Sequence, residues 1–238
     1  MTDWIHRSFA PIKKAFPAWL TNPVRSTATA FVTPAMFSYK SGHFRSSFKM
    51  AAVTKDGDPI PWYTYPSIEF LKHRNFADKM ILEFGGGQST RWWAKRAKRV
   101  VTLEGDKAWY DTIKGSMAPN VELHHVSMAS AAANREAVEA ILAAKPYETY
   151  DVIVIDGLHR EEMIPIAQRL IAQDGVIICD NAEGYSFYEG FASSEMNRVD
   201  FYGYAPGGVA PSTTSLYFNA GSFVFSPRYP IHRPTGAI

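Results

Sequence analysis

The segment 79–90 constrains the fold of this chain more than any other, because it predicts a strand, a tight turn and a helix start in succession. An apolar run at 80–82 ends at Glu83, and three consecutive glycines follow at 85–87. Glycines let a backbone turn sharply and approach a ligand with no Cβ in the way. In a parallel α/β sheet, nucleotide-like ligands bind at the carboxyl end of such a strand. We therefore predict a ligand-binding turn directly after this strand.

Apolar strand-like segments alternate with helix-like segments from residue 80 to residue 180. After the first strand, further strands are predicted at 100–104, 121–126, 151–156 and 176–180. The segment 151–156 is apolar throughout its interior, as expected for a parallel strand covered on both faces. Five βα units with short connections predict an α/β fold with a doubly wound, Rossmann-like, mostly parallel sheet.

The carboxy-terminal third departs from this alternation. Two strands are predicted at 199–204 and 215–218, separated by a loop rich in proline and glycine. A third short apolar run at 223–225 is expected to extend a hairpin. This ending predicts antiparallel strands at the edge of the sheet, whereas a plain nicotinamide-binding domain would continue with another parallel βα unit.

The composition is that of a globular protein, since 46% of the 238 residues are hydrophobic and 20% are charged. The net charge of +2 is too small to indicate a nucleic-acid partner. The single cysteine, Cys179, allows no disulfide within the chain, which favours a reducing compartment. No apolar run reaches the roughly 18–20 residues that span a bilayer, and the N-terminus lacks a secretory signal pattern. We expect a cytoplasmic protein with no stable membrane insertion.

The motif Glu83-Phe84-Gly85-Gly86-Gly87 resembles the glycine-rich first motif of class I S-adenosylmethionine (SAM) dependent methyltransferases. In that family, an acidic residue at the strand end precedes a glycine loop that wraps the methionine part of the cofactor. The family's usual third glycine is Ser89 here, and Thr90 stands where a dinucleotide fingerprint has its last glycine. A pyrophosphate requires the close helix packing that this last glycine permits, whereas a phosphate-free cofactor does not.

A second acidic residue, Glu104, ends the next predicted strand about 20 residues after the first glycine. A carboxylate at this position can accept hydrogen bonds from both ribose hydroxyls of an adenosyl cofactor, which serves NAD and SAM alike. The resemblance implies that SAM is the cofactor and that its site is formed by Tyr63, Glu83, Gly85, Gly86, Gly87, Ser89, Thr90, Glu104, Gly105, Ser127, Met128 and Asp156.

Polar residues also end the fourth and fifth predicted strands. In divalent-metal O-methyltransferases such as catechol O-methyltransferase, an Asp and an Asp-Asn pair at these places ligate magnesium, and Asp156, Asp180 and Asn181 match them. Related antibiotic and sugar methyltransferases carry Asp-x-x-His after the fourth strand, which Asp156 and His159 match. The resemblance therefore implies a Mg²⁺ site and a catalytic His159 with Asp156. The alternative is that these acids only cap the turns that follow the strands.

The first 60 residues form a basic, aromatic extension, which we expect to act as a lid, and a methyltransferase-like domain is expected over 61–238. Prolines 11, 17 and 23 are predicted to interrupt any long helix in the extension. Its aromatic residues are expected to pack on their own domain or on a second subunit of a homodimer. Peripheral contact with a membrane or another anionic partner is the alternative. The resemblance implies that Trp62, Tyr63 and Tyr65, which follow the extension, lie over the cofactor; the alternative is that they seal the edge of the sheet.

Together these features predict a SAM-dependent methyltransferase acting on a hydroxyl oxygen of a small molecule. Two other classes of function stay open. The first is a nicotinamide-dependent oxidoreductase that uses the same glycine loop and Glu104. The second is a non-catalytic module that binds a membrane or a protein partner through the basic, aromatic extension.

Overall fold

The computed structural model describes residues 17–145 and 148–225. Within these residues, seven strands form one sheet in the order β3-β2-β1-β4-β5-β7-β6. The strands are β1 Met80–Phe84, β2 Arg99–Glu104, β3 Val121–His125, β4 Tyr150–Ile155, β5 Ile171–Cys179, β6 Asn197–Tyr204 and β7 Pro211–Phe218.

The first five strands are parallel, and β6 and β7 form an antiparallel hairpin in which β7 lies beside β5. The ends of the central strands are in register, since Phe84 pairs with both Leu103 and Ile155, and Ile155 pairs with Cys179. The carboxyl ends of β1, β2, β4 and β5 therefore meet at one edge of the sheet. The predicted mostly parallel, Rossmann-like sheet with an antiparallel ending is confirmed.

Helices cover both faces of the sheet. They are α1 Ala18–Lys40, α2 His43–Lys49, α3 Tyr65–Leu71, α4 Gln88–Ala94, α5 Lys107–Ile113, α6 Ala131–Ala143, α7 Ile164–Leu170 and α8 Phe187–Phe191. On one face, α6, α7 and α8 pack through a core that includes Val138, Ile166 and Phe187. On the other face, α3 and α4 pack through a core that includes Leu71 and the buried pair Trp92 and Trp93. This layering positions the loops after the central strands without covering them.

The prediction that Pro23 interrupts a long helix is wrong. Pro17 is the N-cap of α1, and Pro23 and Pro34 both lie inside this helix of 23 residues. Proline's fixed φ near −65° is itself helical, so each internal proline removes one hydrogen bond without ending the helix here. Pro11 lies outside the described residues. No helix in the described part of the chain combines the length and the hydropathy that a bilayer span requires.

The segment Phe223–Phe225 is a 3-10 helix, so the prediction that it extends the hairpin is wrong. A turn with Gly221 at a φ of +89° redirects the chain before it. The Ser222 hydroxyl then donates to the Gly175 carbonyl oxygen at 3.0 Å. The ring of Phe223 packs edge-on against Phe76. Ser222 and Phe223 are both buried, so packing and not strand pairing holds this segment.

Candidate active site

A cavity of about 510 Å³ opens at the edge of the sheet where β1, β2, β4 and β5 end. Its size lies in the range of small-molecule sites in proteins. The loops after these four strands supply most of the wall. The wall also includes three residues that precede β1 in the chain: Met50, Ala51 and Trp62. The predicted ligand-binding turn after β1 is therefore part of a real cavity.

The glycine bend at 85–87 approaches the loop after β4 closely. Gly85 has a φ of +90°, and its N–H donates to the Leu103 carbonyl oxygen at 2.9 Å. A Cβ on Gly85 would lie 2.7 Å from the backbone oxygen of Asp156. Only glycine therefore lets the loops after β1 and β4 come together here. All three glycines of the bend line the cavity.

Glu83 supports this bend from beneath. Its Oε2 accepts hydrogen bonds from the hydroxyls of Thr90, at 2.5 Å, and Thr102, at 3.1 Å. The Thr90 hydroxyl in turn accepts the Gly87 N–H at 2.9 Å. Glu83 and Thr90 are both fully buried and do not line the cavity. These two side chains hold the glycine bend in place, and their predicted contact with a cofactor stays a prediction.

Burial raises the pKa of Glu83 to about 7, against the lowering effect of hydrogen bonds from Ser89, Thr90 and Thr102. The charged form of a carboxyl is unfavourable where water cannot solvate it. Its second oxygen, Oε1, is buried and has no hydrogen-bond partner among the described residues. Ser89, in contrast, lies at the start of α4 and does line the cavity.

Glu104 faces the glycine bend across the cavity wall. Its Oε2 accepts the Gly86 N–H at 2.7 Å, and its Oε1 accepts the Asp106 N–H at 2.7 Å. These two bonds fix the carboxylate at the end of β2, and each oxygen retains a further lone pair for a ligand. Glu104 is mostly buried and lines the cavity, as does Gly105 beside it.

Trp109, which was not among the predicted site residues, also lines the cavity. Asp106 caps α5 by accepting the Trp109 N–H at 2.9 Å. The indole Nε1 donates to the Gly86 carbonyl oxygen at 2.7 Å, and the ring lines the cavity. Its place at the start of the helix that follows β2 puts Trp109 beside the carboxyl edge of the sheet.

The loop after β3 supplies another wall. Met128 lines the cavity, and its sulfur lies so close to Gly105 that any Cβ there would collide with it. Asn134 of α6 also lines the cavity, and its amide donates to the Ser127 carbonyl oxygen at 2.7 Å. Ser127 itself is not part of the cavity wall. Met128 thus lines the cavity, and its predicted contact with the cofactor stays a prediction.

A buried guanidinium joins the loops after β4 and β5. Arg160 Nη2 lies 2.9 Å from Asp156 Oδ1. Its other nitrogens donate to the backbone oxygens of Gly157 and Asp180 and, at 3.3 Å, to Asn181 Oδ1. The side chain of Arg160 is only 10% exposed, so solvent screens this ion pair little. Burial raises the pKa of Asp156, and the Arg160 charge opposes that rise.

Asp180 lies beside this pair at the end of β5. Its Oδ1 accepts a hydrogen bond from the Thr214 hydroxyl at 2.7 Å, and that hydroxyl accepts the Thr64 N–H at 2.9 Å. Burial raises the pKa of Asp180, and the neighbouring Asp156 charge raises it further. Asp156 and Asp180 both line the cavity, so the sheet brings together two of the predicted residues.

The predicted magnesium site does not fit this geometry. The Asp156 carboxylate and the Asn181 side-chain oxygen, two of its three ligands, are bound to the Arg160 guanidinium. Asp180 Oδ1 is bound to Thr214. Within residues 17–145 and 148–225, no group of three or more His, Cys, Asp or Glu side chains could hold a metal ion. The cation at this place is Arg160, which sequence analysis missed although it stands four residues after Asp156.

His159 and Tyr63 are also placed differently from their predicted positions. The imidazole of His159 does not line the cavity, and its Nε2 is buried without a partner among the described residues. Its backbone is left-handed, with a φ of 53°, so its neighbours Leu158 and Arg160 face the cavity instead. Tyr63 is fully buried, and its hydroxyl accepts the Trp93 Nε1–H at 3.3 Å. Tyr63 is therefore a core residue, and Trp62 lines the cavity in its place.

No protein-family model and no curated protein matches this chain. Solved structures match it in fold. Precorrin-6y C5,15-methyltransferase from Geobacter metallireducens matches 73% of this chain and 96% of its own, with a TM-score of 0.52 and 17% sequence identity. The chain has the Rossmann-like methyltransferase fold.

Two further solved structures match this chain with lower TM-scores. An O-methyltransferase from Bacillus cereus, solved in complex with SAH, matches 82% of this chain and 97% of its own, with a TM-score of 0.47 and 20% identity. Spermidine synthase from Thermotoga maritima matches 67% of this chain and 63% of its own, with a TM-score of 0.45 and 17% identity. Likeness at these identities concerns the fold.

Proposed function

We propose that this protein is a SAM-dependent methyltransferase that transfers a methyl group to a hydroxyl oxygen of a small molecule. The observation that carries the proposal is the Glu104 carboxylate, which accepts the Gly86 N–H at 2.7 Å and lines the same cavity as the glycine bend. A carboxylate fixed at the end of β2 beside an open backbone bend suits an adenosyl group with a ribose diol.

The residues present fit SAM. Glu104 would hold the ribose hydroxyls, the glycine bend would lie along the methionine part, and Met128 would contact the adenine. The bend offers backbone to a ligand without a Cβ, because each of its three residues is glycine. Thr90 takes the place of the last glycine of a dinucleotide fingerprint, and this makes the nicotinamide alternative the weaker one.

Bound SAM would supply an electrophilic methyl group carried on a sulfonium. We assign Asp180 as the general base, because it lines the cavity and because burial and the Asp156 charge raise its pKa. A carboxyl whose pKa is raised toward the working pH accepts a proton efficiently. The Asp180 carboxylate would accept the proton of the acceptor hydroxyl during methyl transfer.

Arg160 would position this base. Its guanidinium binds the Asp180 backbone oxygen and the Asp156 carboxylate, so it fixes both acids relative to the glycine bend. The rest of the catalysis would come from alignment of the acceptor oxygen with the methyl carbon. A cavity of about 510 Å³ favours a small acceptor over a macromolecular one.

Calorimetric titration with S-adenosylhomocysteine (SAH) and with NAD⁺ tests the proposal. SAH should bind and NAD⁺ should not. Glu104→Ala should weaken SAH binding at least tenfold, because a hydrogen bond to a charged group contributes about 1.5–3 kcal/mol. Asp111→Ala on the exposed side of α5 is the matched control, since Asp111 pairs only with Lys107 and Lys114 among the described residues. NAD⁺ binding as tight as SAH binding, or SAH affinity unchanged in Glu104→Ala, would refute it.

A further inference from the structure

Helix α1 exposes large apolar side chains. Trp19 is 75% exposed, Phe31 74% and Tyr39 74%, and none of the residues in this described helix is buried. The C-terminal end of α1 is attached to the domain, since the ring of Phe37 packs edge-on against Tyr65 at 5.3 Å. An isolated helix is marginal in water, so its apolar side needs a surface to rest on.

Part of α1 is amphipathic, although Trp19 and Phe37 lie outside its apolar stripe. Leu20, Val24, Ala28, Phe31 and Ala35 recur every three or four residues and lie on one side of the helix. Polar residues with the same spacing lie on the other side: Asn22, Ser26, Thr29 and Thr33. This division is typical of a helix that lies along a boundary between water and an apolar phase.

Helix α2 continues the apolar stripe toward the cavity. Phe44 and Phe48, four residues apart, are 70% and 81% exposed, and Met50 directly after the helix is 81% exposed. Met50 also lines the cavity. The basic aromatic surface, defined here as the exposed side chains of 18–50, therefore ends at the mouth of the candidate active site.

The charges of this surface are of one sign. Residues 17–54 contain Arg25, Lys40, Arg45 and Lys49 and no Asp or Glu. No carboxylate of the described residues forms an ion pair with any of these four. In a two-fold symmetric dimer the same patch meets itself, so these cations would face like charges with no acid to pair. An anionic lipid surface complements both the cations and the aromatic side chains.

We infer that α1 and α2 dock this protein on the surface of an anionic membrane, with α1 lying in the interface and the cavity mouth turned toward the lipid. Lipid headgroups supply the negative charge that Arg25, Lys40 and Lys49 lack among the described residues. The acyl boundary accepts the aromatic side chains that the domain leaves exposed. This inference is independent of the reaction that the cavity carries out.

Vesicle co-sedimentation of the full chain tests the inference. The probes are phosphatidylcholine vesicles with and without phosphatidylglycerol. The test variants are the double substitutions Arg25→Glu with Lys49→Glu, and Phe44→Ser with Phe48→Ser, which change exposed side chains. The matched controls are Lys98→Glu, an exposed cation at the opposite edge of the sheet, and Tyr188→Ser, an exposed aromatic outside this surface. SAH affinity, measured in parallel, should stay unchanged in every variant and reports that the fold is intact.

The protein should sediment with anionic vesicles and not with neutral ones. The charge variant should weaken vesicle binding about 25-fold or more, since each cation near an anionic surface contributes about fivefold. The Phe variant should also weaken it, and the two controls should not. Absence of binding to anionic vesicles, or an equal loss in Lys98→Glu, would overturn the inference. Light scattering could instead show a dimer that the Phe variant dissociates, in a protein that does not bind vesicles. That result would overturn the inference and assign the surface to a second copy of the chain.

Discussion

Arg160 Nη2 lies 2.9 Å from Asp156 Oδ1, and this ion pair connects the ends of two neighbouring strands of the sheet. The same guanidinium binds the backbone oxygen of Asp180 and the side-chain oxygen of Asn181. The ring of Tyr185 covers it, with the guanidinium carbon 4.5 Å from the ring centre. One buried cation thus holds the polar side of the cavity together.

Arg160→Met should destabilise the protein by about 3 kcal/mol at pH 8, because removal of one partner leaves a buried carboxylate without its counter-charge. The loss should be smaller at pH 5. Without the guanidinium, the pKa of Asp156 and of Asp180 rises further in the folded state, so the carboxyls can take up protons and avoid the charge as the pH falls. Urea unfolding at the two pH values measures the difference.

Arg198→Met is the control for this change. Arg198 also pairs with an Asp, Asp200, at 2.7 Å, but both side chains are more than a third exposed. An exposed pair contributes about 1 kcal/mol or less. If Arg160→Met lowers the free energy of unfolding no more than Arg198→Met does, the Arg160 ion pair does not stabilise the site.

Magnesium should not stabilise the wild-type protein. The oxygens that would ligate it, those of Asp156 and Asn181, are bound to Arg160, and the guanidinium charge would repel a divalent cation. A thermal melt with and without magnesium, and SAH titration with and without a chelator, should each give unchanged values. A rise in Tm with magnesium in the wild type would mean that Arg160 moves away to admit the ion.

The sequence was sufficient to predict the sheet, the glycine bend and Glu104. These depend on local rules, since an apolar strand that ends in glycines must turn, and the next acidic strand end lies beside it in a parallel sheet. Gly85 and Glu104 therefore lie on the same cavity wall, as their spacing predicted. The antiparallel hairpin followed in the same way from the loss of βα alternation after residue 180.

The direction of single side chains could not be predicted. The alternation of strand-like and helix-like segments does not predict that His159 has a left-handed backbone. Nor does it predict that Arg160, and not His159, faces the cavity. Likewise, the proline-flanked segment before β1 indicates an extended chain, but only packing against Trp93 decides that Tyr63 is buried. Trp62 then faces the cavity because adjacent residues of an extended chain point to opposite sides.

Glu83→Gln should change how stability depends on pH. The rise of the Glu83 pKa from 4.5 to about 7 means that its contribution to stability is full below pH 4.5 and is lost as the pH rises through 7. This loss amounts to about 3 kcal/mol. Glutamine carries no such charge and keeps an acceptor for Thr90 and Thr102. The stability of the variant relative to the wild type should therefore increase between pH 5 and pH 8. The measurement is the free energy of unfolding of both proteins at several pH values. A difference between them that stays constant from pH 5 to pH 8 would contradict the raised pKa of Glu83.

Three glycine variants separate the fold of the bend from ligand binding. Gly85→Ala should destabilise the protein by about 1–3 kcal/mol, because its φ of +90° disfavours an L side chain and the new Cβ would lie 2.7 Å from the Asp156 backbone oxygen. Gly115→Ala is the control, since a Cβ there meets no atom within 4 Å. It should leave stability unchanged or slightly raised.

Gly87→Ala is the decisive variant of the three. The nearest atoms to its new Cβ would be those of Trp109, at 3.8 Å, which is an ordinary contact, so unfolding free energy should stay within about 1 kcal/mol of the wild type. Gly87 lines the cavity, however, and the added methyl occupies space that a ligand on the bend requires. SAH affinity should therefore fall at least tenfold in Gly87→Ala while Gly115→Ala binds as the wild type does. If Gly87→Ala binds SAH with wild-type affinity, the ligand does not lie along the bend.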